Sequence, residues 1–186
     1  MERELMNSAV LFADISDSIG LYDRLGNETA FAIIKRCQQI LTRITEQHCG
    51  HVAMHIGDKL ICTFTDPNDA ASAAIDMQKT LAQEASSGEL DKEGSKVSIH
   101  LGLYYGPLVK EKNHLYGEAM DIGYQLAKQA EEEQILTSET TIDRLSPDLK
   151  SNSRFVDRSP VRGLRYDLGI YEIQWQDKAR SAETAR

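Results

Sequence analysis

Two aspartates stand where apolar residues give way to small polar ones. Asp14 closes the run Ala9 to Ala13, and Asp58 follows Gly57 in a dipeptide suited to a tight hairpin turn. If the strands that carry them are neighbours, both carboxylates emerge at one edge of a sheet. Two hard oxygen ligands meeting there can hold Mg²⁺ or Mn²⁺ against a triphosphate, with a backbone carbonyl, water and phosphate completing the shell. Without an ion, two close carboxylates repel and one tends to stay protonated. A second reading needs no ion: Asp14 caps the next helix and Asp58 simply suits its turn. On the residues alone the second reading is the favoured one. A third acid, Asp17, is read as a helix cap. His48, Cys49, His51 and His55 have the chemistry of zinc ligands. However, His51 and His55 share one strand face with Ala53 between them, and no second cysteine pair completes a closed site.

The elements that must position these groups follow from apolar spacing. Ala9 to Ala13 has the continuous pattern of a strand covered on both faces. From Asn27, a candidate N-cap, Phe31, Ile34, Cys37, Leu41 and Ile44 recur at helical steps, and Gly50 is the expected stop. His51 to Ile56 and Lys59 to Thr65 form a hairpin about Gly57-Asp58. Asp66-Pro67 opens a second helix whose alanines, Ala70, Ala71 and Ala74, allow a close seat on a sheet. Ser86 to Ser95 reads as a surface loop. Val97 to Tyr105 is a strand ended by Gly106-Pro107, Glu118 to Gln129 a helix, Ile135 to Ser138 a short strand, and Tyr166 to Trp175 a closing strand. This order predicts an α+β fold: a ferredoxin-like βαββαβ core with extra C-terminal strands, an antiparallel-rich sheet and helices on one face. One domain over residues 1–175 and a disordered polar tail over 176–186 complete the expected organisation.

Composition narrows the partners. In 186 residues, 29 acids outweigh 21 Lys and Arg for a formal charge of −8, which disfavours phosphate backbones and anionic lipid surfaces, so nucleic acid is not an expected partner. Cys37, Cys49 and Cys62 are odd in number and lie in apolar runs, as buried hydrophobes do in a reducing compartment. No stretch is apolar for long enough to span a membrane, and no signal sequence is evident, so the chain reads as cytoplasmic. Tyr104, Tyr105 and Tyr116 are read as packing or interface residues rather than a base-stacking platform.

The motifs "FADIS", "CGHVAMHIGDKLICTF", "VSIHLGLYYGPLV", "LYGEAMDIGYQLA", "EQILTS" and "VRG" ahead of "IYEI" occur in this order over Ser8 to Trp175. Together they resemble the catalytic domain of the class III adenylate/guanylate cyclases. The resemblance implies that family's fold and a head-to-tail dimer with active sites between subunits. It also implies a reaction in which a nucleoside triphosphate becomes a 3′,5′-cyclic nucleotide and pyrophosphate on two Mg²⁺ or Mn²⁺ ions. By position the metal ligands are Asp14 and Asp58, with the carbonyl of Ile15. Ser18, in the turn and helix start that cradle phosphates, and Arg162, matching a lysine or arginine near them, fall at nucleotide-binding positions.

Elsewhere the chain departs from the pattern. The lysine and aspartate that read the base are replaced by Met54 and His114, and the asparagine and arginine that act on ribose and transition state by Asp121 and Gln125. Loss of one such electrostatic contact commonly costs about 10²–10³ in rate, and a thioether cannot hydrogen-bond a purine N1. Lys128, one turn beyond Gln125, is a candidate substitute cation or an ordinary solvated lysine. The leading expectation is a degenerate cyclase domain that dimerises and binds a metal–nucleotide without efficient turnover. The alternatives are an active half-site in a heterodimer with another cyclase-like chain, and a homodimeric cyclase of altered base specificity.

Overall fold

The computed structural model describes residues 3–88, 90, 96–112 and 114–176. Positions 177–186 of the expected polar tail, and positions 89 and 91–95 of the expected surface loop, lie outside the described residues. The first strand, β1 (Arg3–Ile15), alternates its buried side chains between two faces: Ala9, Leu11, Ala13 and Ile15 join one core, Val10 and Phe12 the other. Burial on both sides explains its unbroken apolar sequence. After it come α1 (Ser18–Leu25) and α2 (Asn27–Gln47), then the hairpin of β2 (His51–Ile56) and β3 (Lys59–Phe64), then α3 (Pro67–Ser86). Next are the long β4 (Ile99–Glu111), the short β5 (His114–Tyr116), α4 (Glu118–Gln129) and β6 (Ile135–Ser138). The short helices α5 (Glu139–Ile142) and α6 (Pro147–Ser151) and the hairpin of β7 (Ser153–Pro160) and β8 (Asp167–Ile173) complete the order.

The strands form one sheet in the order β2-β3-β1-β4-β6-β8-β7, with β5 added to the end of β4. All neighbours are antiparallel except β4 and β6. The α+β, ferredoxin-like expectation therefore holds, with extra C-terminal strands as predicted. Its helices, however, occupy both faces rather than one. α2 and α3 cover one core, with Ile33, Ile40, Leu41 and Met77 among its buried residues, while α4 closes a second core around Val10, Phe12, Tyr104 and Leu126. Two glycines make the α4 seat possible. A Cβ on Gly102 would lie 2.1 Å from the Ala127 amide nitrogen, and one on Gly123 3.1 Å from the Phe12 ring.

Local signals are shifted in several places. The N-cap of α2 is Gly26, with Asn27 as the first helical residue. The left-handed residue after α2 is Cys49 (φ 58°), while Gly50 serves a different need: a Cβ there would meet the Phe64 ring at 2.3 Å. Cys49 is exposed, unlike Cys37 and Cys62, which are buried. Gly106-Pro107 does not end its strand. Pro107 pairs with Asn7 of β1, whereas β6 and β5 flank β4 only at 101–103 and 109–111, so its missing N–H faces no second neighbour. At Asp66 the prediction holds: its side chain accepts from the Asn68 amide at 2.8 Å, with Pro67 in the first turn.

Candidate functional site

Strand register assembles the site. On the face covered by α4, Asp14 of β1 lies directly opposite Lys59 of β3 on one side and His100 of β4 on the other. The Lys59 ammonium donates to Asp14 Oδ2, and His100 Nε2 lies 3.4 Å from the same oxygen. His100 Nδ1 is 3.0 Å from the Ser16 hydroxyl, which fixes the ring. Asp14 Oδ1 is buried and has no hydrogen-bond partner among the described residues. Burial opposes the Asp14 charge, but hydrogen bonds from His100 and Lys59 outweigh it and hold the carboxyl below the usual aspartate range.

Asp58 occupies the turn immediately before Lys59, at the same edge of the sheet. Its Oδ2 accepts a hydrogen bond of 2.5 Å from the hydroxyl of Ser18, the first residue of α1. That helix starts where it does because Asp17, in the left-handed region at φ 51°, accepts from the Gly20 amide at 3.2 Å and pairs with Arg24 at 2.7 Å. Asp17 is thus a cap, and the Ser18 hydroxyl is turned to a carboxylate. Asp14, Ile15, Ser18 and Asp58 come together at one corner. Among the described residues no three His, Cys, Asp or Glu side chains converge into a metal cluster. The two carboxylates of this corner are engaged by Lys59 and by Ser18. Of the four residues with the chemistry of zinc ligands, His48 pairs with Asp76 at 2.7 Å.

The other candidates are dispersed. Met54 follows a bulge in β2 and packs, half-buried, on the α4-side core. His114 opens β5 and is exposed, opposite Glu111. β3, β1 and β4 separate the two, and a cavity of about 460 Å³ crosses those strands from His51 and Ala53 to Leu115. Tyr104 is buried on this face and donates to Glu118 at 2.6 Å. On α4, Asp121 is exposed and Gln125 is engaged. The Gln125 amide nitrogen donates to the carbonyls of Asp121 (3.2 Å) and Arg162 (2.9 Å), and its oxygen accepts from the Arg162 amide (2.8 Å). Arg162 itself is exposed in the β7–β8 loop. Lys128 lines a cavity of about 210 Å³ together with Asp14, Lys59, His100 and Tyr124.

Sequence reasoning missed Lys59 and His100. Neither belongs to a spacing pattern, and only the registers of β1 against β3 and β4 bring them to Asp14. A count outward from the Gly57-Asp58 turn finds Lys59 once the hairpin strand is taken as the neighbour of β1.

Comparison with known proteins agrees with this architecture. The profile of the adenylate and guanylate cyclase catalytic domain matches residues 2–174. Among solved structures, the adenylyl cyclase CyaB from P. aeruginosa superimposes with a TM-score of 0.82 at 18% identity, covering 96% of this chain and 98% of that one. The adenylate/guanylate cyclase/hydrolase from Silicibacter pomeroyi gives 0.78 at 19% identity, covering 92% and 98%. A protein of Mycobacterium tuberculosis described as uncharacterized is 28% identical over 160 residues, which is 83% of this chain and 51% of that protein. The chain spans about half the length of the curated relatives it matches. No helix among the described residues is long and apolar enough to cross a membrane.

Proposed function

The chain belongs to the adenylate and guanylate cyclase catalytic domain family, and from that footing we propose that it is a degenerate member, which dimerises and binds a metal–nucleotide through Asp14 and Asp58 without efficient turnover. Domains of this family use divalent cations, bind nucleoside triphosphates and dimerise. The corner at Asp14 fits such a cation: its Oδ1 is a buried carboxylate oxygen lacking a partner among the described residues, and Asp58 brings a second hard donor set to the same edge. A divalent ion held there supplies Lewis-acid stabilisation of the triphosphate charge and of the attacking 3′-hydroxyl. In this reading the Ile15 carbonyl is a further ligand and Ser18 orients Asp58, while the Asp17 carboxylate, bonded to the Gly20 amide, opposes an anion at the start of α1.

The observation that carries the reading is the engagement of Gln125. At the position where the resemblance expects an arginine, the side chain is neutral, and its amide is bound to the backbone of Asp121 and Arg162. It acts as a clamp on the β7–β8 loop and brings no charge to developing phosphate. Met54, with its thioether against the core, offers a base edge no hydrogen bond.

The test is incubation of the purified chain with Mn²⁺ and each of ATP, GTP, CTP and UTP, with Asp14→Ala as control. The expected result is cyclic product at about 10⁻² or less of an intact cyclase domain. Rapid product formation that vanishes in Asp14→Ala overturns the reading and supports a homodimer of altered base specificity. A second reading, an active half in a heterodimer, is favoured by the contrast between the ion-holding corner and the altered α4 positions. It requires activity on mixing with an intact cyclase domain stripped of its own metal aspartates.

A further inference from the structure

We propose that Lys59 is a resident cation of the Asp14 corner, one that competes with a divalent ion for this carboxylate and restricts the corner to a single ion. The inference rests on the reading of Asp14 and Asp58 as ion ligands and adds a role for a residue that reading does not use. Lys59 is placed by the sheet: it is the first residue of β3, directly opposite Asp14, on a strand paired on both sides. Leu60 and Ile61, which follow it, are buried and hold the strand in place.

The two oxygens of Asp14 have different surroundings. Oδ2 receives the ammonium of Lys59 and faces His100 Nε2 at 3.4 Å, whereas Oδ1 is buried without a partner among the described residues. One side of the carboxylate is closed by a positive charge, and the other is buried and carries none. A two-ion centre, with its ions about 3.5–4 Å apart, draws on both sides of a bridging carboxylate. An ammonium on Oδ2 repels a second dication entering there, and at a spacing of about 5 Å the repulsion exceeds tenfold in affinity even with strong dielectric screening. Lys128, on the wall of the same cavity, adds to the positive field.

The experiment is a Mn²⁺ titration of the full chain, followed by the electron paramagnetic resonance signal of free Mn²⁺. It compares wild type with Lys59→Met, Lys59→Gln and Asp14→Asn. Methionine keeps the length and apolar stem of the lysine and glutamine keeps polarity, so the pair separates loss of charge from loss of packing. Circular dichroism and gel filtration verify that each variant is folded. The expected result is at most one ion per wild-type chain, and binding at least tenfold tighter or a second ion in both Lys59 variants. Two ions on the wild type, or unchanged affinity in both Lys59 variants while Asp14→Asn abolishes binding, overturns the role of Lys59 alone. Binding unaffected by Asp14→Asn, or absent from all four proteins, overturns the ion-site reading and this inference with it.

Discussion

Replacing Gln125 with alanine tests whether this residue is a structural clamp. The side chain makes two hydrogen bonds to the Arg162 backbone, at 2.9 and 2.8 Å, and a third to its own helix at 3.2 Å. Each such bond is worth about 0.5–1.5 kcal/mol, and partial solvent exposure places these at the lower end, so losing the pair weakens the β7–β8 loop by about 1–2 kcal/mol. A loss of that size raises the open population of the loop about 5–30-fold. The loop carries its own reporter. Trypsin cleaves after Arg162, which is exposed and followed by Gly163 at φ +100°, with open space around its α-carbon. When reclosing is fast, cleavage tracks the open population, so the rate at Arg162–Gly163, read by mass spectrometry, should rise by the same factor. Gln125→Glu sharpens the test. It retains an acceptor for the Arg162 amide but sets a carboxylate against the Arg162 carbonyl, so it should accelerate cleavage as well. A rate within about twofold of wild type in both variants refutes the clamp, because the loop would then be held by contacts independent of Gln125.

Further predictions concern other parts of the fold. Gly102→Ala forces a Cβ to 2.1 Å from the Ala127 amide and should cost about 3 kcal/mol or more, seen as a lower urea midpoint, while Gly88→Ala, in open space but at φ +80°, should cost less. Glu139 is held below its ordinary 4.5 by hydrogen bonding from Arg158, which overcomes partial burial. A depressed acid stabilises the fold above its unfolded value and loses that contribution as pH falls through the lower folded value. The melting-temperature advantage of wild type over Glu139→Gln should therefore be present at pH 6 and shrink below about pH 4. Iodoacetamide should label Cys49 rapidly in the native protein, because it is exposed, and spare Cys37 and Cys62, whose thiols burial pushes up to about 12. Labelling of all three at equal rates under native conditions would contradict the packing of α2 and β3.

Much of the architecture is legible because its signals are local. The helical stripe from Ile33 to Ile44, the Asp66-Pro67 cap and the Gly57-Asp58 turn each declare an element within a few residues. That the strand of Asp14 neighbours the Asp58 hairpin is implied by element order, and β1 does pair with β3. Failures arise where distant residues decide. Nothing near Pro107 in the chain says that β4 has a neighbour on one side only at that residue, so the Gly-Pro pair reads as an end. β7 eluded the reading because its Phe155 and Val156 are exposed and it contributes no buried alternating face. The placement of α4 on the opposite face from α2 and α3 depends on Gly102 and Gly123, whose meaning appears only when strand and helix are set together. The Gln125 clamp joins residues 37 positions apart and has no sequence signature.

Helix α4 rests on bare backbone at Gly102, and its own Gly123 sits against the Phe12 ring, so neither a shift along the strand nor a roll about the helix axis is sterically free. The mounts for residues 121 and 125 therefore stay fixed whichever side chains are fitted to them. In such a chain, side chains at those two addresses can be exchanged while the main chain of α4 that aims them remains unaltered.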